Sequence, residues 1–340
     1  MREDGCGDQV QGVQGSPCPG ADRTPPGTRA GPAGLLTTGS AGRERPGGGA
    51  DYLVRAVVKD PPLVALAVRL TRTVDEARRR HRLSALATAA LGRALAGAAL
   101  LAATLKGEES ITIRLVGDGP LGGIIAEGRA GGALRGYVEN PRVELPPTPE
   151  GKLDVSRGVG RGYIYVTRDM GLKEPYTGSA PLVSGEVASD LAYYLATSEQ
   201  TPAAVALGVL VEPRGRVRAA GGLLVQVLPG GDPAELARLE ENLRGLPAPS
   251  SLIEQGRAPE DIILGALSGY AVLFSPPQPV YYRCRCTRGR LLEALAAVAL
   301  DDVPENEILE ARCHFCGRSY RVPVEEVRAL LKRPAAPSPP

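Results

Sequence analysis

The chain has 340 residues, 43% of them hydrophobic, with 40 basic against 38 acidic side chains and a net charge of +2. That length supplies more than one compact unit, and the even charge balance excludes a protein organised by bulk attraction to nucleic acid or to an anionic membrane. Tryptophan is absent and phenylalanine occurs twice, so the core must be built from Ala, Val, Leu and Ile, which suits helices packed on sheets.

Residues 1–50 hold 13 Gly and 6 Pro, and Leu35 with Leu36 is their only large aliphatic pair. Such a composition cannot bury enough surface to offset chain entropy and lacks the apolar core of a signal peptide, so a disordered extension is expected. Its Cys6 and Cys18, flanked by Gly and Pro, read as free thiols. Asp51 to Arg69 reads as extended segments interrupted by Asp60, Pro61 and Pro62. Val74 to Leu105 reads as helix, ended by Lys106 and Gly107. Its longest charge-free run, Ala94 to Leu105, is 12 residues, too short to span a membrane, and its alanines predict close packing against a sheet. His81 sits among Arg78, Arg79, Arg80 and Arg82, which reads as a solvated basic face with no catalytic role.

Ser110 to Val138 alternates and turns repeatedly, which predicts an antiparallel meander. Gly117, Gly119 and Gly122 form a Gly-x-Gly-x-x-Gly, but a strand rather than a helix follows, so the glycines are assigned to turn geometry and not to a dinucleotide site. No Gly-x-x-x-x-Gly-Lys-Ser/Thr occurs, so a P-loop engine is not supported. A further strand is expected over Gly160 to Thr167. The helix expected over Gly185 to Thr197 carries Val187, Leu191, Tyr194 and Leu195 on one face, and its Tyr193 and Tyr194 are expected to pack rather than react. Ala204 to Val211 and Arg216 to Leu228 form a hairpin, and Pro229 to Asp232 closes this α+β core, residues 51–230.

Residues 231–280 change to short helical segments, Ala234 to Leu246, Ser251 to Gln255 and Pro259 to Leu267. Their Leu236, Leu239, Leu243, Ile253, Ile262, Ile263 and Leu264 need a surface to cover them, which makes this stretch a helical linker. The last unit, 281–332, reads as helix Leu291 to Leu300, strand Ile308 to Arg312, a tight turn, strand Ser319 to Val322 and helix Val324 to Leu331. A disordered tail, 333–340, follows. Some 50 residues rarely hold a core unaided, and this unit contains Cys284, Cys286, Cys313 and Cys316.

Two tight cysteine pairs separated by a foldable insert is the spacing by which four sulfurs surround one tetrahedral zinc. Cys313-x-x-Cys316 followed by Gly317 is a knuckle, in which Gly317 takes a positive φ; Cys284 and Cys286, two apart in an extended segment, face one side. A disulfide framework, free buried thiols and a purely structural zinc ribbon are the competing readings. Four sulfur ligands leave no position for water, so hydrolytic zinc chemistry is disfavoured and redox chemistry remains. Arg283, Arg285, Arg288, Arg290, Arg312 and Arg318 either favour thiolate or are ordinary solvated charge. A zinc-ribbon nucleic-acid-binding protein is the alternative function, against which stand ten basic and eight acidic residues from Tyr281 onward. A thiol oxidoreductase would want its Cys-x-x-Cys to open a helix, and here Gly and a strand follow.

The cysteine pattern resembles the zinc redox switch of the heat shock protein 33 family, the 33 kDa chaperonins. The likeness extends upstream through Asp51 to Ala56 (DYLVRA), Gly117 to Gly123 (GDGPLGG), Arg135 to Val138 (RGYV), Gly171 to Tyr176 (GLKEPY), Leu182 to Glu186 (LVSGE) and Ser198 to Val209 (SEQTPAAVALGV), covering about residues 51–332. The resemblance implies a cytoplasmic, redox-regulated, ATP-independent chaperone and no enzyme. Its reduced form would hold one zinc per chain through Cys284, Cys286, Cys313 and Cys316, with the linker folded over the core. Oxidation would pair Cys284 with Cys286 and Cys313 with Cys316, release the zinc and give a homodimer that holds unfolded client proteins, with neither nucleic acid nor membrane as partner. The family usually begins near the Asp51 motif, so the N-terminal extension departs from it.

Overall fold

The computed structural model describes residues 49–212, 215–229, 233–297, 303–304 and 306–331. The expectations placed on residues 1–48 with Cys6 and Cys18, on the end of the helix expected to reach Leu300, and on the tail lie outside these residues. What is described is an α+β fold with two six-stranded, largely antiparallel sheets and a two-stranded antiparallel ribbon.

The first sheet begins with β1 (Tyr52–Val58) and β2 (Leu63–Arg69), the two segments expected around the Asp60 turn. The helix expected over Val74 to Leu105 is instead two, α1 (Thr71–His81) and α2 (Ala85–Ala102). The chain breaks at Arg82, whose φ of 52° closes α1, and Ser84 caps α2 by accepting from the Ala87 N–H at 3.1 Å. No periodicity marks that break, because both helices are apolar on the side that faces the core.

The second sheet is the expected meander, β3 (Ser110–Gly117), β4 (Ile124–Arg129) and β5 (Ala133–Val138), extended by β6 (Gly162–Asp169) and β7 (Tyr176–Pro181). A short helix, α3 (Val155–Val159), precedes β6. Neither α3 nor β7 was legible from pattern, since each is five or six residues with Gly or Pro inside. The glycine turn after β3 packs against α3: the Gly119 N–H donates to the Val159 carbonyl at 3.0 Å, and a side chain at Gly119 would collide with that backbone. These glycines serve close backbone approach, as turn geometry predicts.

Helix α4 (Val187–Thr197) buries Tyr194, whose hydroxyl donates to Glu199 at 3.0 Å, so this tyrosine packs as expected. The hairpin β8 (Ala203–Val211) and β9 (Val217–Val227) completes the first sheet. The linker forms α5 (Pro233–Gly245), α6 (Pro249–Glu254) and α7 (Pro259–Ala266). Short strands β10 (Leu273–Phe274) and β11 (Gln278–Pro279) both pair with β1, and β12 (Tyr281–Tyr282) pairs with β5. The first sheet therefore runs β10-β1-β2-β9-β8 and the second β12-β5-β4-β3-β6-β7, antiparallel except where β12 lies parallel to β5.

Helix α2 lies between the sheets. Its Leu91, Leu95 and Ala98 are fully buried, and its small residues let strands approach: a Cβ on Gly128 of β4 would stand 2.6 Å from the Ala98 carbonyl oxygen. Gly128→Ala is expected to force β4 and α2 apart and lower stability by about 1–3 kcal/mol, read as a fall in the thermal midpoint. An unchanged midpoint would mean the two backbones can part without cost.

The linker helices cover the outer face of the first sheet. Leu239, Ile253, Ile262 and Ile263 pack with Tyr52, Val54 and Val225, Ile253 lies over Gly221, and the Tyr52 hydroxyl donates to Glu260 at 2.9 Å. Leu264, expected to need covering, stays 47% exposed, because it lies on the other side of α7 from Ile262 and Ile263. The side chain of Leu236 is outside the described residues.

The C-terminal unit contains α8 (Arg288–Ala296), β13 (Ile308–Arg312), β14 (Ser319–Pro323) and α9 (Val324–Leu331). Its apolar cluster centres on Val322 and Val327, with Leu291, Leu295 and Tyr320 only partly buried around them. So small a core leaves much of the stability to something other than apolar burial.

Candidate metal centre

Four sulfurs converge at one end of the β13-β14 hairpin. The hairpin register, from Ile308 opposite Pro323 to Arg312 opposite Ser319, closes the chain into the Cys313–Gly317 knuckle. Within it the Gly317 N–H donates to the Cys313 carbonyl at 2.8 Å, the Cys313 N–H donates to the Arg318 carbonyl at 2.9 Å, and Gly317 takes φ 68°. Cys284 and Cys286, just past β12, turn their thiols toward the knuckle. The Sγ atoms of Cys284, Cys286, Cys313 and Cys316 all lie within 4.8 Å of one another. Cys286 to Cys316 is 3.2 Å and Cys284 to Cys313 is 3.7 Å.

These spacings fit a tetrahedral thiolate site, in which sulfurs at about 2.3 Å from a zinc stand about 3.8 Å apart. The chemistry of the donors agrees, since four soft sulfurs with no carboxylate among them select a soft or borderline ion. Cys316 is buried and the other three are half-buried. His314 stands outside the cluster, its ring edge-on to Tyr137 at 5.7 Å.

The cysteines differ in their readiness to ionise. For Cys286 burial opposes the thiolate, but hydrogen bonds from Tyr320 and the neighbouring cysteines outweigh it and bring the pKa down to about 7. Burial pushes the Cys313 and Cys316 thiols up. The Tyr320 hydroxyl lies 3.2 Å from the Cys286 sulfur, a partner supplied by β14. Of the six neighbouring arginines, Arg288 pairs with Glu326, Arg312 donates to the Gly317 carbonyl at 3.2 Å, and Arg285 reaches back to the core.

The knuckle is also a docking element. The Phe315 carbonyl accepts from the Tyr282 hydroxyl and lies 3.1 Å from His81 Nε2, which in turn is 3.2 Å from the Tyr282 oxygen. The Phe315 ring lies under the Arg135 guanidinium, 4.0 Å from ring centre to Cζ, and edge-on to Tyr137 at 5.3 Å. Next to this contact Glu127, 7% exposed, pairs with Arg135, lies 4.0 Å from Arg129 and is 3.7 Å from Arg285. Burial opposes the charge of Arg135 and the bond to Glu127 outweighs it, raising its pKa.

The structure thus brings together all four cysteines singled out in the sequence. It corrects the reading of His81, which lies half-buried against the knuckle rather than on a solvated face, because α1 ends where β12 and the knuckle cross it. Burial lowers its pKa. Sequence reasoning missed Glu127, Tyr282 and Phe315 as docking residues. A signal existed for one: Phe315 is one of two phenylalanines in the chain and sits between two paired cysteines.

A family model described as Hsp33 protein matches residues 51–323. The chain is 50% identical over 287 residues to the 33 kDa chaperonin of Desulforamulus reducens, covering 83% of this chain and 98% of that protein. It is 50% identical over 286 residues to the 33 kDa chaperonin of Symbiobacterium thermophilum, covering 82% of this chain and 96% of the relative. The crystal structure of the 33 kDa chaperonin from Thermotoga maritima matches with a TM-score of 0.76 at 37% identity, over 83% of this chain and 98% of that one.

Proposed function

The chain belongs to the Hsp33 family, and from that premise we propose that it is a redox-regulated, ATP-independent holding chaperone of the cytoplasm. Cys284, Cys286, Cys313 and Cys316 are its zinc ligands in the reduced, inactive form. Bound there, zinc supplies a closed four-thiolate crosslink that stabilises the small C-terminal unit. An oxidant converts Cys284 with Cys286, and Cys313 with Cys316, to disulfides. Each disulfide forms by loss of two electrons from a thiolate pair, and one hydrogen peroxide takes those electrons, with two protons from solvent, to give two waters. The four ligands are then gone, the C-terminal unit loses its crosslink and the knuckle leaves the second sheet. The active form is a homodimer that binds unfolding proteins and is not an enzyme.

One observation carries this reading: the loop that presents Cys313 and Cys316 is the loop that docks on the core through Phe315. Disturbing the ligands therefore disturbs the dock. The nucleic-acid alternative finds no comparable support, since Arg285 and Arg288 are engaged with Glu127 and Glu326 rather than arrayed to follow phosphates.

The test follows zinc release with a chromogenic chelator while an unfolding client protein aggregates, before and after peroxide at elevated temperature. About one zinc per chain is expected to leave as aggregation is suppressed, both reversed by a thiol reductant, with Cys313→Ser as the control. Zinc that stays bound, or leaves with no gain in holding, would reduce the site to a structural staple.

A further inference from the structure

The outer face of the second sheet is half covered and half open, and both halves lie on one continuous surface. Residues alternate across each strand, so Tyr137 of β5, Ile125 of β4, Arg114 of β3 and Tyr165 of β6 line up as successive cross-strand neighbours. At strand spacings of about 4.8 Å this row is about 14 Å long, the span of roughly four residues of extended chain. The knuckle covers one end, where Phe315 packs between Arg135 and Tyr137 and Ile125 is 9% exposed. The other end is open: Tyr163 is 52% and its neighbour Val116 42% exposed, and the Arg114 guanidinium lies over the Tyr165 ring at 4.7 Å. An exposed patch of this kind, continuous with a buried contact, marks an interaction surface.

We propose that this face is a client-binding surface, and that Phe315 occupies in the resting protein the place an aromatic side chain of an unfolded polypeptide takes after oxidation. The internal occupant shows the chemistry the face accepts: a ring held by a guanidinium on its face and a tyrosine at its edge. The open tyrosines extend the same chemistry along the row, with little side-chain entropy to lose on binding. Departure of the knuckle joins the halves, so a client segment meets Arg135, Tyr137 and Ile125 together with Val116, Tyr163 and Tyr165. This inference rests on the holding function proposed above and names where the client sits.

The experiment uses the full chain, oxidised with peroxide, and fluorescently labelled, reduced and carboxymethylated α-lactalbumin as a permanently unfolded probe, read by anisotropy. Tyr163→Ser combined with Tyr165→Ser is expected to weaken probe binding about tenfold or more. Zinc content when reduced and loss of four thiols on oxidation should match the wild type, since neither tyrosine touches the sulfur cluster. Wild-type affinity in this double variant overturns the assignment and sends the client elsewhere. A variant that keeps probe affinity but changes oligomeric state in sedimentation also overturns it, and makes the face an interface between copies of the chain. Failure of the oxidised wild type to bind the probe at all is a different result: it removes the holding function itself, and this surface with it.

Discussion

Replacing Cys316 with serine is expected to unfold the C-terminal unit while the two-sheet core stays folded. Cys316 is the most buried of the four sulfurs, at 4% exposure, and stands 3.2 Å from that of Cys286. Among the described residues, the unit's fully buried apolar side chains are Val322, Val324 and Val327, which is too little to hold about 50 residues. Structural zinc contributes on the order of 10–16 kcal/mol in small finger peptides, and removing one of four ligands forfeits enough of it to exceed what so small a core retains. Hydrogen exchange read by mass spectrometry on reduced, zinc-supplemented protein checks this. Peptides from α8, β13, β14 and α9 should exchange like open chain, while those from α2 and β4 keep their protection. Persistent protection in the β13-β14 hairpin would show that the cluster is not what folds the unit.

The second large effect is expected at Glu127. This carboxylate is buried beneath the cysteine-bearing segment and faces Arg129 and Arg135 from the core and Arg285 from between Cys284 and Cys286. Glu127→Gln leaves Arg135 and Arg285 without a carboxylate partner, while Arg129 keeps Glu108 at 2.7 Å, and removing one member of a buried ionic cluster costs roughly 3–5 kcal/mol. Arg285 is 37% exposed, so solvent screens part of its share, and a loss near the lower end of that range is expected. The segment carrying Cys284 and Cys286 should swing away from β4 more often. In the reduced, zinc-loaded protein, labelling of these two cysteines by a thiol reagent should accelerate by about a hundredfold, at 1.4 kcal/mol per decade. Labelling at the wild-type rate would mean that Glu127 serves the core strands alone and does not hold the cysteine segment.

The same pair shows where the legibility of the chain ends. Arg285 was visible as a charge between two cysteines, and solvated charge was one fair reading of it. Its partner sits on β4 and meets it only because β12 adds to the far edge of the second sheet, parallel to β5. His81 is the sharper case. It lies 201 residues from Tyr282 and 234 from Phe315, yet touches both. Its flanking arginines gave the right description of Arg79, which is exposed and paired within α1, and the wrong one of their neighbour.

Short-range physics is the part of the fold written directly along the chain. Cysteine spacing selects the four sulfurs, period-two alternation and glycine turns give the longer strands of both sheets, and the apolar positions of the linker require a surface. Each of these follows from sterics and chemistry among residues a few positions apart. The tertiary structure alone decided that α1 and α2 are separate helices, that α2 lies between the sheets, and that the linker covers one sheet while the knuckle covers half of the other. Those arrangements depend on which apolar faces fit together across a hundred residues or more, and shape complementarity between distant faces leaves no period, spacing or turn residue in the chain.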